Sequence, residues 1–531
     1  KRVKNDAIGL MLTGKDWDET REILDGRYRQ VLKRFEQVKS DDVFETFMNA
    51  FANTMDPHTS YYSPRNSEEY RIQMSLNYDG IGATLQLQDE YVAVINVIKG
   101  GPAALDGTLK PKDRITGVGQ GDDGEIVDVV GWRLDEVVDL IRGPSGSTVR
   151  LQILPGGAAP GSQSVIIPLM RDKVKLEAQA ARKELLEFEQ DGQTRRIGVI
   201  TVPSFYQDYN ARVAGAREYT STTADVRRLT EELTAEGIDG MVLDLRNNGG
   251  GHLSEATAMT GLFIPPGPVV QLRDTSGRIE VLEEQAQAPV YDGPLAVLVN
   301  RFSASASEIF AGAIQDYGRG IVIGQQTYGK GTVQNLYPLD RYAPGAEPRF
   351  GQLTLTVGKY YRVTGESTQH RGVVPDIIVP SPVDTHMVGE STRETALPWD
   401  QIRPTPFSPQ GTLGNAIEVV ATHHQERRAD DPDFRYMMGN IEAIEERRAR
   451  KSVSLNIETR RAENETNEAE QLARENERRA ALGLDPLESL AEAEDEDAPD
   501  VLLQEAARMV LDLAALPGAV IAGRSSAGKT E

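Results

Sequence analysis

Along the first 70 residues apolar side chains return every three or four positions, at Ile23, Leu24, Tyr28, Val31, Leu32 and Phe35, the spacing of one helix face. The segment closes on Asp56-Pro57-His58-Thr59-Ser60, a cluster of turn-forming residues. From about residue 72 to 171 the pattern changes to short apolar runs between glycine turns. It predicts strands over 81–88, 91–98, 148–154 and 164–169, with one amphipathic helix over 134–142. Residues 172–382 alternate the two patterns. Strands at 197–202, 241–245, 295–299 and 321–323 are interleaved with helices at 224–233, from about 254, and at 305–317. That alternation predicts an α/β core with crossover helices.

Residues 383–531 read as charged and mostly helical, with 492–500 as a solvated acidic linker. These helices are expected to bury little and to frame the core. The expected fold class is therefore multidomain α+β in four parts: a helical region over 1–71, a β module over 72–171, the α/β core over 172–382 and the charged helical region over 383–531. No internal repeat of fixed period is present.

Composition narrows the classes of function. A chain of 531 residues can hold several cores, and 39% hydrophobic with 26% charged residues is ordinary for a globular protein. No run approaches the ~18 apolar residues of a membrane-spanning helix. The formal net charge of −23 repels phosphate backbones and anionic lipid, which argues against nucleic acid or a membrane surface as the main ligand. The absence of cysteine excludes disulfides, thiolate zinc sites and a cysteine nucleophile. The chain starts at Lys1 with no leader-like apolar segment, so it reads as a processed or truncated form of a longer one.

Three segments carry chemistry. The first is Asn300-Arg301-Phe302-Ser303-Ala304-Ser305-Ala306-Ser307-Glu308-Ile309, at a strand-to-helix junction. Ser305 and Glu308 fit a helix capping box, with Ser303 as an alternative cap. A serine there also lies where free N–H groups and the helix dipole can stabilise an oxyanion. The second is Thr327-Tyr328-Gly329-Lys330-Gly331-Thr332-Val333-Gln334, whose lysine sits between two glycines. Such a lysine is either an exposed turn residue or, folded inward, a general base. The latter needs its pKa to fall by roughly 3 units, about 4 kcal/mol, in a dry pocket. The third is Asp244-Leu245-Arg246-Asn247-Asn248-Gly249-Gly250-Gly251. Its glycines make a plain turn, a phosphate cradle or an oxyanion hole. Earlier in the chain, Tyr78-Asp79-Gly80-Ile81-Gly82-Ala83 is a glycine loop before a strand, able to hold a terminal carboxylate on backbone N–H groups while the strand pairs with a peptide.

Together the first three segments resemble the tail-specific, or C-terminal processing, protease family. Its pattern has S-A-S-A-S-E for the nucleophile, G-K-G-x-x-Q for the base and a glycine-rich turn after L-D-L-R. The similarity extends to Asp56–Ser60 and to Gly372-Val373-Val374-Pro375-Asp376, covers about residues 40–400 and is nearest to the large periplasmic bacterial branch. The resemblance implies a crotonase-like α/β protease core with an inserted PDZ-type domain. It makes Ser305 the nucleophile, Lys330 the base and Gln334 the group holding that lysine. Gly251 and Ala306 would form the oxyanion hole, while Asp316 matches a position implicated in some members. In the PDZ-type domain, Gly80, Ile81, Gly82 and Ala83 would take the substrate C-terminus. It further implies protein substrates with apolar C-termini, a periplasmic location, a helical-repeat lipoprotein adaptor, and no metal or cofactor.

Other readings compete. Gly523 to Thr530 matches the P-loop pattern, but one residue follows it where a helix is needed. His423-His424 has no partners of metal-site type and reads as a solvated face. His252 after the glycine turn allows a Ser305–His252–Asp316 triad. An enolate-stabilising enzyme of the crotonase type would need a CoA clamp and paired carboxylates, neither of which is seen. A PDZ scaffold with a dead core would lack Ser305 or Lys330.

Overall fold

The computed structural model describes residues 1–516 except 159–161, 191, 285–287, 343, 346–349, 412 and 494–498. The P-loop-like run 523–530 and much of the acidic stretch 492–500 lie outside the described residues. The chain forms two compact units, one of Lys1–Pro64, Ala181–Phe205 and Thr222–Glu531, the other of Arg65–Ala180 and Tyr206–Ser221.

In the first unit the strands Gly240–Asp244 and Leu295–Val299 are buried at every position, so layers must cover both faces of their sheet. That sheet has six strands in the order Arg182–Gln190, Gln193–Thr201, Gly240–Asp244, Leu295–Val299, Ile321–Gly324 and Ile377–Ile378. Its first pair is antiparallel and the rest are parallel, as the strand–helix alternation requires. On one face the helices Thr222–Ala235, Leu253–Thr260 and Ala306–Asp316 bury Val226, Leu233, Met259 and Phe310.

The other face corrects an expectation. The helix Val501–Ala515 lays Ala506, Ala507, Met509 and Val510 on Val199, Val242, Ala296 and Leu298, so the C-terminal region supplies core. Its sequence is apolar almost all round, a local feature hidden by the charge of its neighbours. A Cβ on Gly240 would lie 2.3 Å from Val510 Cγ1, so only glycine lets this helix approach. His424, read as part of a solvated face, is buried instead, with Nδ1 2.9 Å from Glu505 Oε1 of the same helix.

A second sheet carries Ser60–Tyr62, Gln352–Tyr361, Gly267–Asp274 and Ile279–Glu284, with Thr332–Pro338 also on Gln352–Tyr361, all antiparallel. Ser60–Tyr62 was invisible in the helical pattern of residues 1–70, because three residues are too few to show a period. The helices before it are Arg2–Met11, Trp17–Glu36 and Ser40–Ala52.

The second unit is an antiparallel sheet of Ala83–Gln88, Tyr91–Val97, Arg114–Gln120, Thr148–Leu154 and Val165–Met170, with Ile126–Asp128 beside Arg114–Gln120. The helix Leu134–Ile141 buries Val137 and Ile141 against Ile81, Val92, Ile115 and Leu151. The strand expected from residue 81 begins at Ala83. Gly82 takes a φ of +76°, and its Cβ position lies 3.1 Å from the Gly101 backbone, so Ile81-Gly82 remains a loop. Among the described residues no helix is long and apolar enough to cross a membrane.

Candidate active site

Ser305 stands between the buried strand Leu295–Val299 and the helix Ala306–Asp316, with φ 57° and ψ −112°. Few residues other than glycine tolerate that conformation, which costs on the order of 1–3 kcal/mol and persists only where neighbours impose it. The neighbours are the glycine-rich turn. The Ala304 N–H donates to the Asn248 carbonyl (3.0 Å), as does the Ser307 hydroxyl (2.9 Å), and the Ser303 hydroxyl donates to Leu245 O (2.8 Å). Gly250, at φ +105°, backs on to the serine: a Cβ there would come within 2.9 Å of Ser305 Cβ. Gly251, at φ +147°, leaves no room for a Cβ, which would fall 2.2 Å from Phe205 O. The N–H groups of Gly251 and Ala306 have no acceptor among the described residues. Ala306 follows Ser305 directly, and Gly251 follows Gly250, which packs against the serine, so both N–H groups lie in its neighbourhood.

Lys330 is brought to the same place by two groups. The carboxylate of Glu308, one turn into the serine helix, is fully buried and accepts four hydrogen bonds. The Ser305 N–H (2.7 Å) and the Lys330 N–H (3.0 Å) donate to Oε2, while the Gly329 N–H (2.7 Å) and the Thr327 hydroxyl (2.6 Å) reach Oε1. Burial pushes its carboxyl up to about 7 against those bonds. Tyr360 is the second tie, its hydroxyl 3.1 Å from the Ser305 carbonyl and 2.5 Å from that of Lys330. Lys330 keeps a partly exposed edge, but protein surrounds most of it. Burial lowers its pKa, while the charges of Glu390, Glu308 and Asp56 push the other way.

A further ring of hydrogen bonds supports the lysine turn. Gln334 Nε2 donates to the hydroxyls of Thr332 (2.9 Å) and Thr356 (3.1 Å), and Thr356 donates on to Asp56 Oδ1 (2.8 Å). Asp56 also accepts the His58 and Thr59 N–H groups and the Thr59 hydroxyl. Burial alone would raise the Asp56 pKa, yet these bonds together hold it below the usual carboxylate range. On the other side, His58 Nε2 lies 2.8 Å from Glu390 Oε2. Glu390 Oε1 accepts from Gln369 (2.9 Å), whose Oε1 accepts the Gly331 N–H (2.8 Å).

The expected residues thus fare differently. The Ser305, Gly251 and Ala306 backbones converge, and the Lys330 turn joins them through Glu308 and Tyr360. Gln334 bonds to two threonines, and among the described residues its amide makes no bond to Lys330. Asp316 ends the serine helix, 11 residues and about 16 Å along its axis from Ser305. There it is gripped by Arg362 through Nε (3.0 Å) and Nη2 (2.6 Å), which leaves the histidine triad without its acid. Sequence reasoning gave Glu308 only the role of a helix cap and did not single out Tyr360, Thr356 or Glu390. Asp56 lay inside a stretch read as a turn.

Family profiles match four consecutive stretches: the tail specific protease N-terminal domain at residues 1–65, a PDZ domain at 69–154, Peptidase family S41 at 196–379, and the C-terminal domain of tail specific protease at 383–515. The tail-specific protease of Haemophilus influenzae is 42% identical over 515 residues, 96% of this chain and 71% of its own length. A carboxy-terminal-processing protease of Bartonella bacilliformis is 29% identical over 358 residues, 67% of this chain and 74% of its own. Among solved structures, the PDZ domain of the carboxy-terminal protease from Vibrio cholerae, in complex with peptide, is 50% identical over 19% of this chain and all of its own. Its TM-score is 0.18, too low for the overlay to bear on geometry.

Proposed function

The chain belongs to the tail-specific protease family, and on that premise we propose that it hydrolyses peptide bonds with Ser305 as nucleophile and Lys330 as general base. The observation that carries this reading is the carboxylate of Glu308, which holds the backbone of both residues at once beside the unpaired N–H groups of Gly251 and Ala306. Neutral Lys330 takes the Ser305 hydroxyl proton as Oγ attacks the substrate carbonyl carbon. The negative charge that forms on the carbonyl oxygen is met by the Gly251 and Ala306 N–H groups, already oriented and without competing acceptors. Lys330 then passes its proton to the leaving amine as the C–N bond breaks. A water, giving up a proton to Lys330, next attacks the acyl-serine, and Ser305 recovers its proton as the acid product leaves. The depressed lysine pKa supports this cycle, because the base must be neutral to begin it. Gln334 acts one step away, fixing the turn through Thr332 and Thr356.

Substrates are chosen by their C-termini. The Ile81 N–H has no acceptor among the described residues, while the Gly82 N–H meets the Tyr78 hydroxyl, so the loop Gly80–Ala83 offers a donor at which a terminal carboxylate could sit. The strand Ala83–Gln88 lies beside it at the sheet edge for peptide pairing, and an apolar last side chain would pack between that strand and the helix Leu134–Ile141. The periplasm as compartment and a helical-repeat lipoprotein as adaptor rest on the family resemblance alone. One experiment tests both halves. An unfolded protein with an apolar C-terminus, free or amidated, is offered to the wild type, Ser305→Ala, Lys330→Ala, Lys330→Arg and His252→Ala. Only the wild type and His252→Ala should cleave, with the free acid preferred. Activity in Lys330→Ala, lost in His252→Ala, would move the base to the histidine.

A further inference from the structure

Three carboxylates act on Lys330, and they are not equally satisfied. Their charges weigh on the lysine in the order Glu390, Glu308, Asp56. Glu308 accepts four hydrogen bonds, from Ser305, Thr327, Gly329 and Lys330. Asp56 also accepts four, from the His58 and Thr59 N–H groups and from the hydroxyls of Thr59 and Thr356. Glu390 has two side-chain partners, Gln369 Nε2 on Oε1 at 2.9 Å and His58 Nε2 on Oε2 at 2.8 Å. The carboxylate that weighs most on the lysine thus has the fewest donors, and one of its oxygens depends on a single imidazole. An ionised carboxylate only accepts, so against one the imidazole carries its hydrogen on Nε2.

Both partners of that pair are held in place. The Glu390 side chain is fully buried and that of His58 is 17% exposed. The Glu390 N–H donates to the carbonyl of Tyr328, two residues before Lys330, at 3.0 Å. The His58 N–H donates to Asp56 Oδ1 at 2.9 Å, so the turn that carries Asp56 also aims the imidazole. Among the described residues Glu390 further faces Arg393, whose Nε lies 3.5 Å from the Tyr328 hydroxyl, and Tyr360, whose hydroxyl lies against the Ser305 and Lys330 carbonyls. Without His58, Oε2 would be a buried acceptor with no donor, and an ammonium on Lys330 would answer it. We infer that His58 is a positioning residue for the general base: by occupying Oε2 of Glu390 it keeps that carboxylate from drawing Lys330 into an ion pair. This rests on Lys330 being the base and adds what keeps the base available. A paired lysine holds its proton more tightly and cannot take that of Ser305.

The test is kcat/KM against pH for one short peptide with an apolar free C-terminus, cleaved by the full chain. Wild-type activity should rise with pH. His58→Ala should move that rise to higher pH and lower kcat/KM about 10- to 100-fold on the rising limb, in kcat rather than KM. His58→Gln, whose amide can donate in place of Nε2, should recover most of that loss. Glu390→Gln removes the charge, so the rise should move to lower pH, and combining it with His58→Ala should undo the upward shift. The new amide keeps both contacts, since its oxygen accepts from Gln369 and its nitrogen donates to the other tautomer of His58. Thermal melts of each variant report folding, and if His58→Ala fails to fold the Glu390→Gln shift decides alone. A His58→Ala profile that coincides with wild type, or a Glu390→Gln profile without the downward shift, overturns this inference and leaves Lys330 as the base. A rise that persists in Lys330→Ala overturns the base itself, and this inference with it.

Discussion

Replacing Glu308 by glutamine separates its role in the site from its role in the fold. The carboxylate faces four donors, and glutamine has one oxygen to offer them. Its better orientation keeps oxygen toward the Ser305 and Lys330 N–H groups and turns the amide toward Gly329 and Thr327. The threonine hydroxyl can rotate to accept, but the Gly329 N–H then meets another donor. That buried N–H costs about 1–3 kcal/mol, and loss of charge weakens the two remaining bonds by ~1 kcal/mol each, about 3–5 kcal/mol in all. Against this, the carboxylate is already penalised. A carboxyl pushed up from 4.5 to about 7 carries a burial cost of about 3 kcal/mol once ionised, which the neutral amide recovers. Net stability should therefore change by less than about 2 kcal/mol. The loss falls on the lysine turn, and kcat/KM should drop about 10- to 100-fold. The sign of the pH effect follows from the raised pKa: the contribution of Glu308 to stability is complete below pH ~4.5 and fades as pH rises through 7. The stability of the glutamine variant relative to wild type should therefore improve from pH 5 to 8. Peptide cleavage and thermal melts on the same preparations measure both. Activity within threefold of wild type, with the melt unchanged, would refute Glu308 as the tie between the two loops.

Lys330→Met should be inactive yet more stable at pH 7, because burial holds the lysine below its ordinary value. That gain should shrink as pH approaches the lysine range, in a pH series of melts, while wild-type kcat/KM rises with pH below that range. Gly250→Ala should abolish cleavage, since its Cβ would press on Ser305 at 2.9 Å and φ +105° is strained for alanine; mass spectrometry of an active-site serine label would show whether the hydroxyl still reacts. Removing residues 501–531 should abolish cooperative unfolding, because the helix Val501–Ala515 covers one face of the central sheet. The milder Val510→Ala should cost about 1–3 kcal/mol by denaturant titration.

What could be read ahead of the structure follows from the range of the interactions involved. Ser305, its helix and the glycine turn were legible because cap, stripe and turn chemistry act within a few residues. The alternation of strand and helix gave the parallel core for the same reason. Glu308 was legible only as a cap: its bonds to Gly329 and Lys330 span 21 and 22 residues and exist only once Ile321–Gly324 has joined the sheet. Thr356 and Asp56 are 300 positions apart, so no local pattern could pair them. Nothing near Asp316 in sequence betrays Arg362, 46 residues on, which pairs with it. The core-forming role of the helix Val501–Ala515 is hidden because the charge of its region masks a local apolar run.

These long-range pairs bear on what counts as the catalytic unit. The stretch 196–379 contains Ser305, Lys330, Gly251 and Ala306, the residues of the proposed mechanism, yet three of its supports come from outside it. Asp56, before it, closes the chain of bonds through Thr356 to Gln334, while His58 reaches Glu390, beyond its end, which leads through Gln369 to the Gly331 N–H. Asp500 shares Arg246 with Asp244 at the start of the glycine turn, and it also caps the helix that backs the sheet. Each support ends on backbone or side chains one step from a reacting group, and none supplies the chemistry itself. Burial lowers the Lys330 pKa, so on the proposed mechanism any loosening that admits water would raise it again and disfavour the neutral base. If Lys330 is the base as proposed, the flanking regions act on activity through its burial, and damage to them should appear in the pH profile before it appears in the fold.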